Sequence, residues 1–242
     1  MVQSNQTKDL SLKRRDFLKA GALVYAGAIT PVATPFCFAG RAPKEKRLEK
    51  LRKYLAQHHG EESGSALYER MVAHYEDLNA NKPHFSKWGM NFNITNAVIA
   101  LSIYRALLED GEKNQEAIKA AGTLVWATLP VDMYKKVFNF IKKTPDPFSS
   151  YVFMTKQLNK MLFPSPGWER NYVVEEDDRF GFDVTKCLYV DYLKSEGALD
   201  LVVALCDLDY RVAELLPDEI HFHRNVSIAR GDKVCDFRYY RK

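Results

Sequence analysis

The run Pro164-Ser165-Pro166-Gly167 divides this chain into two kinds of sequence. Two prolines around a serine, followed by glycine, cannot continue a helix or a central strand, so a sharp loop must join what lies on either side. Upstream, from Pro43 to Phe163, apolar residues recur at helical spacing. Leu67, Met71, Tyr75 and Leu78 form one stripe; Ile94, Val98, Leu101 and Leu108 a second; Tyr134, Val137, Phe138 and Ile141 a third; Phe148, Tyr151, Leu158 and Met161 a fourth. Asn93 or Thr95 suits the cap of the second helix, and Pro147 the first turn of the fourth. Downstream, Trp168 to Glu176 and Arg179 to Lys186 read as strands joined at Glu176-Asp177-Asp178, and a helical stretch from about Leu188 to Leu216 is interrupted near Glu196-Gly197. Glu219 to Arg230 and Lys233 to Arg241 read as a second hairpin around Gly231-Asp232. The expected fold is α+β: a helical N-terminal half, residues 40–163, followed by a four-stranded antiparallel sheet of two hairpins packed against helices, residues 164–242. The two parts can equally form one compact domain over 40–242. With 46% hydrophobic residues and 12 Gly plus 10 Pro in 242, the chain can bury a real core, which excludes disorder, collagen-like repeats and coiled-coil rods.

The first 39 residues carry a separate message. Arg14, Arg15, Asp16, Phe17, Leu18 and Lys19 precede an uncharged stretch rich in Ala, Gly and Thr that ends in Phe36-Cys37-Phe38-Ala39. This resembles a twin-arginine export signal, with Arg14, Arg15, Phe17 and Leu18 as its motif and a weakly apolar segment behind it. The departure is Lys13, where the pattern often has Ser or Thr. The alternative, a retained membrane anchor, is opposed by Pro31, Pro35 and the Gly and Thr interruptions in a span that needs roughly 20 apolar residues. Cleavage after Ala39 reduces the 35 basic and 31 acidic groups to 30 and 29, so a net charge of +4 becomes +1. The expected mature protein is periplasmic, reached through the twin-arginine machinery, with no stable membrane span. No clustered basic face is left for nucleic acid, because Glu45 and Glu49 alternate with the bases of the Arg41 to Arg52 run, which reads as a solvated helix face.

Chemistry concentrates downstream of the break. If Gly231-Asp232 is the turn, Ile228 pairs with Cys235, Val226 with Phe237 and Arg224 with Tyr239. One face then carries Phe222, Arg224, Val226, Ile228, Cys235, Phe237 and Tyr239, the core face; the other carries His221, His223, Asn225, Ser227, Asp236 and Arg238, the solvent face. His221 and His223 have the spacing a zinc site can use, but they lie on the polar side without a cysteine beside them. A guanidinium directed into an apolar layer must be paired, so Arg224 meets either a carboxylate-bearing ligand or an acid from the helices. On the helical stretch, Leu201, Leu205, Leu208, Val212 and Leu215 form the buried stripe, with Cys206 and Asp209 on an adjoining strip. Asp209 is the candidate for a shielded carboxylate with a tuned pKa, whereas Asp207 points toward Arg211 as a surface pair. Cys187, Cys206 and Cys235 remain after export, with no C-x-x-C spacing: one disulfide and a thiol, a three-thiol site, or buried hydrophobes.

Four segments carry a resemblance: Phe182-Asp183-Val184-Thr185-Lys186-Cys187; Leu205-Cys206-Asp207-Leu208-Asp209; Phe222-His223-Arg224 with Ser227-Ile228-Ala229-Arg230-Gly231; and Cys235-Asp236-Phe237-Arg238-Tyr239. In order and spacing they resemble the L-2-amino-thiazoline-4-carboxylic acid hydrolase family, with Ser227 where similar sequences usually have Thr. The resemblance implies hydrolytic opening of a cyclic amidine-like ring in a small carboxylate substrate. It implies Cys187, or less readily Cys235, as nucleophile, Asp209 as general base or acid, and Arg224 as the substrate-binding carboxylate anchor. A second arrangement of the same residue types is a hydroxide on a divalent metal such as zinc, held by Cys187, Cys206 and Cys235 with Asp209. The non-enzymatic alternative is a periplasmic domain that binds a small molecule or metal through its thiols, because a fold does not transfer activity.

Overall fold

A computed structural model describes residues 44–242, which form one unit. The export motif residues Arg14, Arg15, Phe17 and Leu18 lie outside the described residues. Helix α1 spans Lys44–His59 and α2 Glu61–Asn81. The charged run at the start of α1 is more than a solvated face: Leu48, Leu51 and Leu55, on one side of the helix, are buried, while Glu49, Lys50, Arg52 and Lys53 remain exposed. On α2 the expected stripe of Leu67, Met71, Tyr75 and Leu78 is buried.

Helix α3, Trp88–Glu109, is the centre of this half. Its Ile94, Ala97, Val98, Ala100 and Leu101 are fully buried. The helix starts earlier than its polar residues suggest, so Asn93 and Thr95 sit inside it rather than at its cap, and Leu107 is buried in place of the exposed Leu108. Its first turn is held close to the end of another helix at Gly89, where a Cβ would stand 2.2 Å from the Met161 carbonyl oxygen. Helices α4, Asn114–Thr128, and α5, Val131–Lys142, follow; Val137, Phe138 and Ile141 are the buried face of α5. Helix α6, Pro147–Leu162, begins as expected with Pro147 in its first turn, and the Ser149 amide donates to Asp146 Oδ1 at 3.0 Å. Its inward face differs from the expected stripe: Phe148, Tyr151, Thr155, Asn159 and Leu162 are buried, while Leu158 and Met161 are half-buried.

Beyond the Pro-Ser-Pro-Gly loop, β1, Trp168–Glu175, and β2, Arg179–Cys187, form the first hairpin, with the Glu176 amide bonded to the Arg179 carbonyl at 2.8 Å. Helix α7, Leu188–Ser195, ends near Gly197, whose φ of 70° suits glycine. A short turn then leads into α8, Val202–Cys206, and α9, Leu208–Ala213, so the expected continuous helix is broken at Asp207. Strands β3, Ile220–His223, and β4, Cys235–Arg241, complete a four-stranded antiparallel sheet in the order β1-β2-β4-β3. The α+β architecture is the expected one. One face of the sheet is an aromatic layer: Phe182 stacks on Phe237 at 5.0 Å, Phe180 on Tyr239 at 6.1 Å, and Phe222 lies 5.1 Å from Tyr239. Helix α6 covers it through Tyr151, 5.1 Å from Tyr239.

The second hairpin corrects the expected register. Phe222, not Arg224, pairs with Tyr239, and residues 224–234 form a loop containing a single turn of 3-10 helix, Ile228–Arg230, closed by Gly231 at φ 94°. The cause lies in two carboxylates. Asp236 Oδ1 accepts the Asn225 and Val226 amides at 2.8 and 2.7 Å, and Asp232 Oδ2 accepts the Ser227 amide at 2.8 Å. These side chains take amides that a regular ladder would use, and local bonds of this kind compete with sheet pairing. The slip is two residues, an even number, so the facing of the strand residues is preserved.

Candidate active site

The short helices and the strand ends bring five of the proposed residues around one recess. Cys187 closes β2 and stands at the entrance of α7; Cys206 ends α8; Asp209 lies on α9; Arg224 follows β3; Cys235 opens β4. The Arg224 side chain is 1% exposed. Its Nη1 donates to Asp209 Oδ2 at 2.6 Å and its Nη2 to the Cys206 carbonyl at 3.1 Å. The guanidinium lies 4.7 Å from the Tyr210 ring centre and 5.3 Å from that of Phe237, and the Tyr210 hydroxyl donates to the Arg224 carbonyl at 3.1 Å. The acid that Arg224 requires is therefore Asp209. One donor is left over: Arg224 Nε is sealed from solvent and has no hydrogen-bond partner among the described residues.

Electrostatics separate these groups. Asp209 keeps 41% of its side-chain surface open. Burial lifts its carboxyl to a pKa of about 6, against the opposing pull of Arg224. Burial works against the Arg224 charge, but the Asp209 carboxylate outweighs it and the guanidinium is held protonated more firmly than usual. Cys187 is pushed up to about 11, chiefly by burial, although the Val190 and Tyr189 amides pull the other way. Cys206 is raised well above the ordinary thiol value by burial and then by the Asp209 charge. Both are neutral thiols at neutral pH. Cys235 accepts the Ile228 amide at 3.2 Å, and its thiol donates to the buried Ser227 hydroxyl at 3.7 Å.

All three cysteines are free thiols, so no disulfide joins them. Cys187 lies within electrostatic reach of Asp209 and Cys235, and Cys206 within reach of Asp209, Cys187 and Cys235. Among the described residues, however, no three His, Cys, Asp or Glu side chains converge as metal ligands. Cys235 is turned toward Ser227 and the Ile228 amide, and Asp209 toward Arg224. His221 and His223 are exposed, with His223 Nε2 2.7 Å from Asn225 Oδ1. The expected Asp207–Arg211 pair is replaced: Asp207 binds Arg230 at 2.9 Å, while Arg211 donates to Thr123 at 3.1 Å. The Asp207 carbonyl still accepts the Arg211 amide at 3.4 Å, so the helical spacing is kept and it is the competing partners Arg230 and Thr123 that draw the two side chains apart.

A family model for L-2-amino-thiazoline-4-carboxylic acid hydrolase matches residues 90–239, which is more than half of the chain and spans every residue of this recess. The chain belongs to that family. Its members bear the name of a hydrolase, and the groups around the recess suit hydrolysis: a carboxylate titrating near neutrality, neutral thiols and a buried cation. A comparison with curated proteins finds no match. Among solved structures, an H-NOX domain from Shewanella oneidensis in the Fe(II)CO ligation state is 11% identical with a TM-score of 0.38, covering 81% of this chain and 97% of its own. An H-NOX protein from S. oneidensis in the Fe(II)NO ligation state gives the same identity and TM-score over 81% and 98%. Likeness at that level carries no functional argument.

Three tyrosines that the sequence does not mark as site residues lie beside these groups in this family member. Tyr189, two positions after Cys187, is pushed far above the phenol range by burial and lies within electrostatic reach of Cys187, Asp209 and Cys206. Its hydroxyl donates to Asn93 Oδ1 on α3. Tyr151 and Tyr239 are hydrogen-bonded to each other within electrostatic reach of Asp209, and burial raises both, Tyr151 to about 12. A signal for them existed: Tyr151, Thr155 and Asn159 recur at four-residue spacing, a helical stripe that an apolar-only count of α6 misses.

Proposed function

We propose that this chain is an exported hydrolase that opens the ring of a 2-amino-thiazoline carboxylate or a related cyclic amidine bearing a carboxylate. Membership of the family supports the substrate class, and the observation that carries the chemistry is the Asp209 carboxyl, at a pKa of about 6 beside Arg224 and two neutral thiols. The Cys187 thiol attacks C2 of the ring. Because that thiol is protonated, its proton must leave as the sulfur–carbon bond forms, and Asp209 is the base of suitable strength to take it. The C2–N π electrons move onto nitrogen, and Asp209 returns the proton to the ring atom whose bond to C2 then breaks. Water releases the product from sulfur. Arg224 is the proposed anchor of the substrate carboxylate, which would have to take the place of the Asp209 carboxylate or the Cys206 carbonyl on its guanidinium.

Turnover of L-2-amino-thiazoline-4-carboxylate by purified protein tests this reading. Asp209→Asn is expected to lower kcat by about 10²- to 10⁴-fold and to abolish an acid limb in the pH profile with an apparent pKa near 6. Cys187→Ala is expected to be inactive, and a covalent adduct on Cys187 is expected by mass spectrometry of quenched reactions. Turnover that survives Cys187→Ala assigns the attack to water with Asp209 as base; absence of turnover with any cyclic amidine carboxylate overturns the enzyme reading in favour of a binding domain.

The motif of Arg14, Arg15, Phe17 and Leu18 supports export by the twin-arginine pathway to the periplasm. Replacing both arginines by lysine is expected to move the protein from the periplasmic to the cytoplasmic fraction. An unchanged distribution refutes that route.

A further inference from the structure

The carboxylate of Asp236 takes no part in the recess, yet it holds the main chain from which Arg224 projects. Its Oδ1 accepts both the Asn225 and the Val226 amide, at 2.8 and 2.7 Å, and its Oδ2 accepts from Asn225 Nδ2 at 3.4 Å. Two consecutive amides that converge on one oxygen form an anion-binding concavity, a geometry that a regular strand does not offer. On the other side of the same residue, the Tyr210 hydroxyl donates to the Arg224 carbonyl at 3.1 Å. Arg224 is thus gripped at its own carbonyl and at the two amides that follow it. From that fixed origin its side chain reaches Asp209 Oδ2 at 2.6 Å and the Cys206 carbonyl at 3.1 Å.

A hairpin that ran on past His223 would pair one of these amides with β4 and leave the Asp236 carboxylate free. The carboxylate instead ends the pairing at the residue after Arg224, where the course of the chain decides which way the guanidinium points. An arginine side chain has many rotamers, so one buried ion pair selects a single direction only if the backbone beneath it is fixed. Asp236 also has no direct hold on the acid of that pair. The charged groups that act on Asp209 among the described residues are Arg224 and, least, Asp207. The groups that face it from the other elements, Cys187, Cys206, Tyr151, Tyr189 and Tyr239, are all raised by burial and uncharged at neutral pH.

We propose that Asp236 is a positioning residue of this site: by fixing the Asn225 and Val226 amides it aims the Arg224 guanidinium at Asp209 and keeps that carboxylate paired without touching it. This rests on the reading of Asp209 as the acid–base group and Arg224 as the carboxylate anchor, and adds the residue that holds one in place for the other. The sign of the effect identifies the route. Removing a negative charge that acted directly would lower the Asp209 pKa, whereas releasing Arg224 removes the pull that opposes burial and raises it above about 6.

Carbon-13 NMR titration of purified protein labelled at its aspartate carboxyls reads this without turnover, the Asp209 signal being the one missing from Asp209→Asn. In Asp236→Ala the Asp209 midpoint is expected to rise by about one pH unit or more, the reverse of what a neighbouring guanidinium does to an aspartate. Asp236→Asn keeps an oxygen for the two amides and is expected to restore the wild-type midpoint. Asp232→Ala frees the Ser227 amide of the same loop and is expected to leave the midpoint in place. Asp236→Ser, too short to hold both amides, is expected to behave as the alanine variant and serves if that variant lacks a cooperative urea transition. An unmoved or lowered midpoint in the folded variant overturns the role of Asp236, and so does an equal rise in Asp232→Ala. A rise that Asp236→Asn reverses, in a protein that turns over no cyclic amidine carboxylate, overturns the enzymatic reading and leaves the positioning role standing.

Discussion

Polar side chains are buried in both halves of this protein, but of different kinds. In the helical half several are neutral and turned back onto backbone: Thr128 donates to the Val125 carbonyl at 2.8 Å, Ser102 to that of Val98, and Asn93 to those of Gly89 and Leu162, while the groups that burial displaces there, Arg47, Tyr134 and Tyr151 among them, include no acid or thiol. They sit among residues with no exposed surface, such as Leu101, Val98 and Ile94 on α3. Around the sheet the buried groups are ionisable and displaced from their ordinary values: Asp209 to about 6, Cys187 to about 11, Cys206 higher than usual. Satisfied amides and hydroxyls specify how helices pack; desolvated acids and thiols store reactivity that packing alone does not require. The contrast assigns stability mainly to α3 and its neighbours, and chemistry to the junction of β2, β4, α8 and α9.

The largest expected effect breaks the first side of that contrast. Leu101→Ala removes a side chain with no exposed surface from the middle of α3 and leaves a cavity. The expected cost is about 3 kcal/mol of folding stability, within the range of 2 to 5 kcal/mol for such truncations, read as a lower urea midpoint at unchanged slope. The acid limb of activity near pH 6 is expected to stay where it is, since Leu101 is not among the groups that act on Asp209. Movement of that limb by a full pH unit in the variant would show that the two regions are one system.

The legibility of the two halves differs for the same reason. A 3.6-residue apolar period is written directly into the sequence, so the stripes of α2 and α5 are readable; on α3 the error is one residue, Leu108 for Leu107, because adjacent leucines satisfy the period equally. The inward face of α6 was only half legible, since Thr155 and Asn159 occupy positions that an apolar template rejects. Among the strands, alternation gives the faces of Phe222, Phe237 and Tyr239 correctly and the register wrongly. Alternation is blind to a shift of two, and the register is set by Asp236 and Asp232 acting at a distance in sequence. Both members of the Asp209–Arg224 pair are candidates by sequence, yet their meeting depends on the course of the loop after His223, which the sequence pattern reads as strand. Tyr189 is invisible as a site residue in the sequence because its contacts arise only where α3 meets α7.

The smallest expected effect sharpens the second side, because its sign tells burial from ion pairing. A carboxylate that owes its state to a salt bridge has a depressed pKa, and its protein loses stability as pH falls. Asp146 is of that kind: burial opposes its charge, but Arg241 and Ser149 outweigh burial and lower it. Asp209 is the reverse, about 6 when folded against about 3.9 for an unperturbed aspartate. Between those values the folded state holds more protons than the unfolded state, so the Asp209 contribution is greatest below about pH 4, declines as pH rises toward 6 and is level above it. With 41% of the side chain open to solvent, screening keeps the change well below the Leu101 effect. Urea midpoints at pH 4.5 and 7 for wild type and Asp209→Asn isolate it, since the other acids are common to both. Wild type is expected to lose more stability than the variant across that interval. If it instead gains relative to the variant, Arg224 governs the carboxylate more than burial does, Asp209 belongs with Asp146 as a structural partner, and the base of the proposed reaction has to be sought elsewhere in the recess.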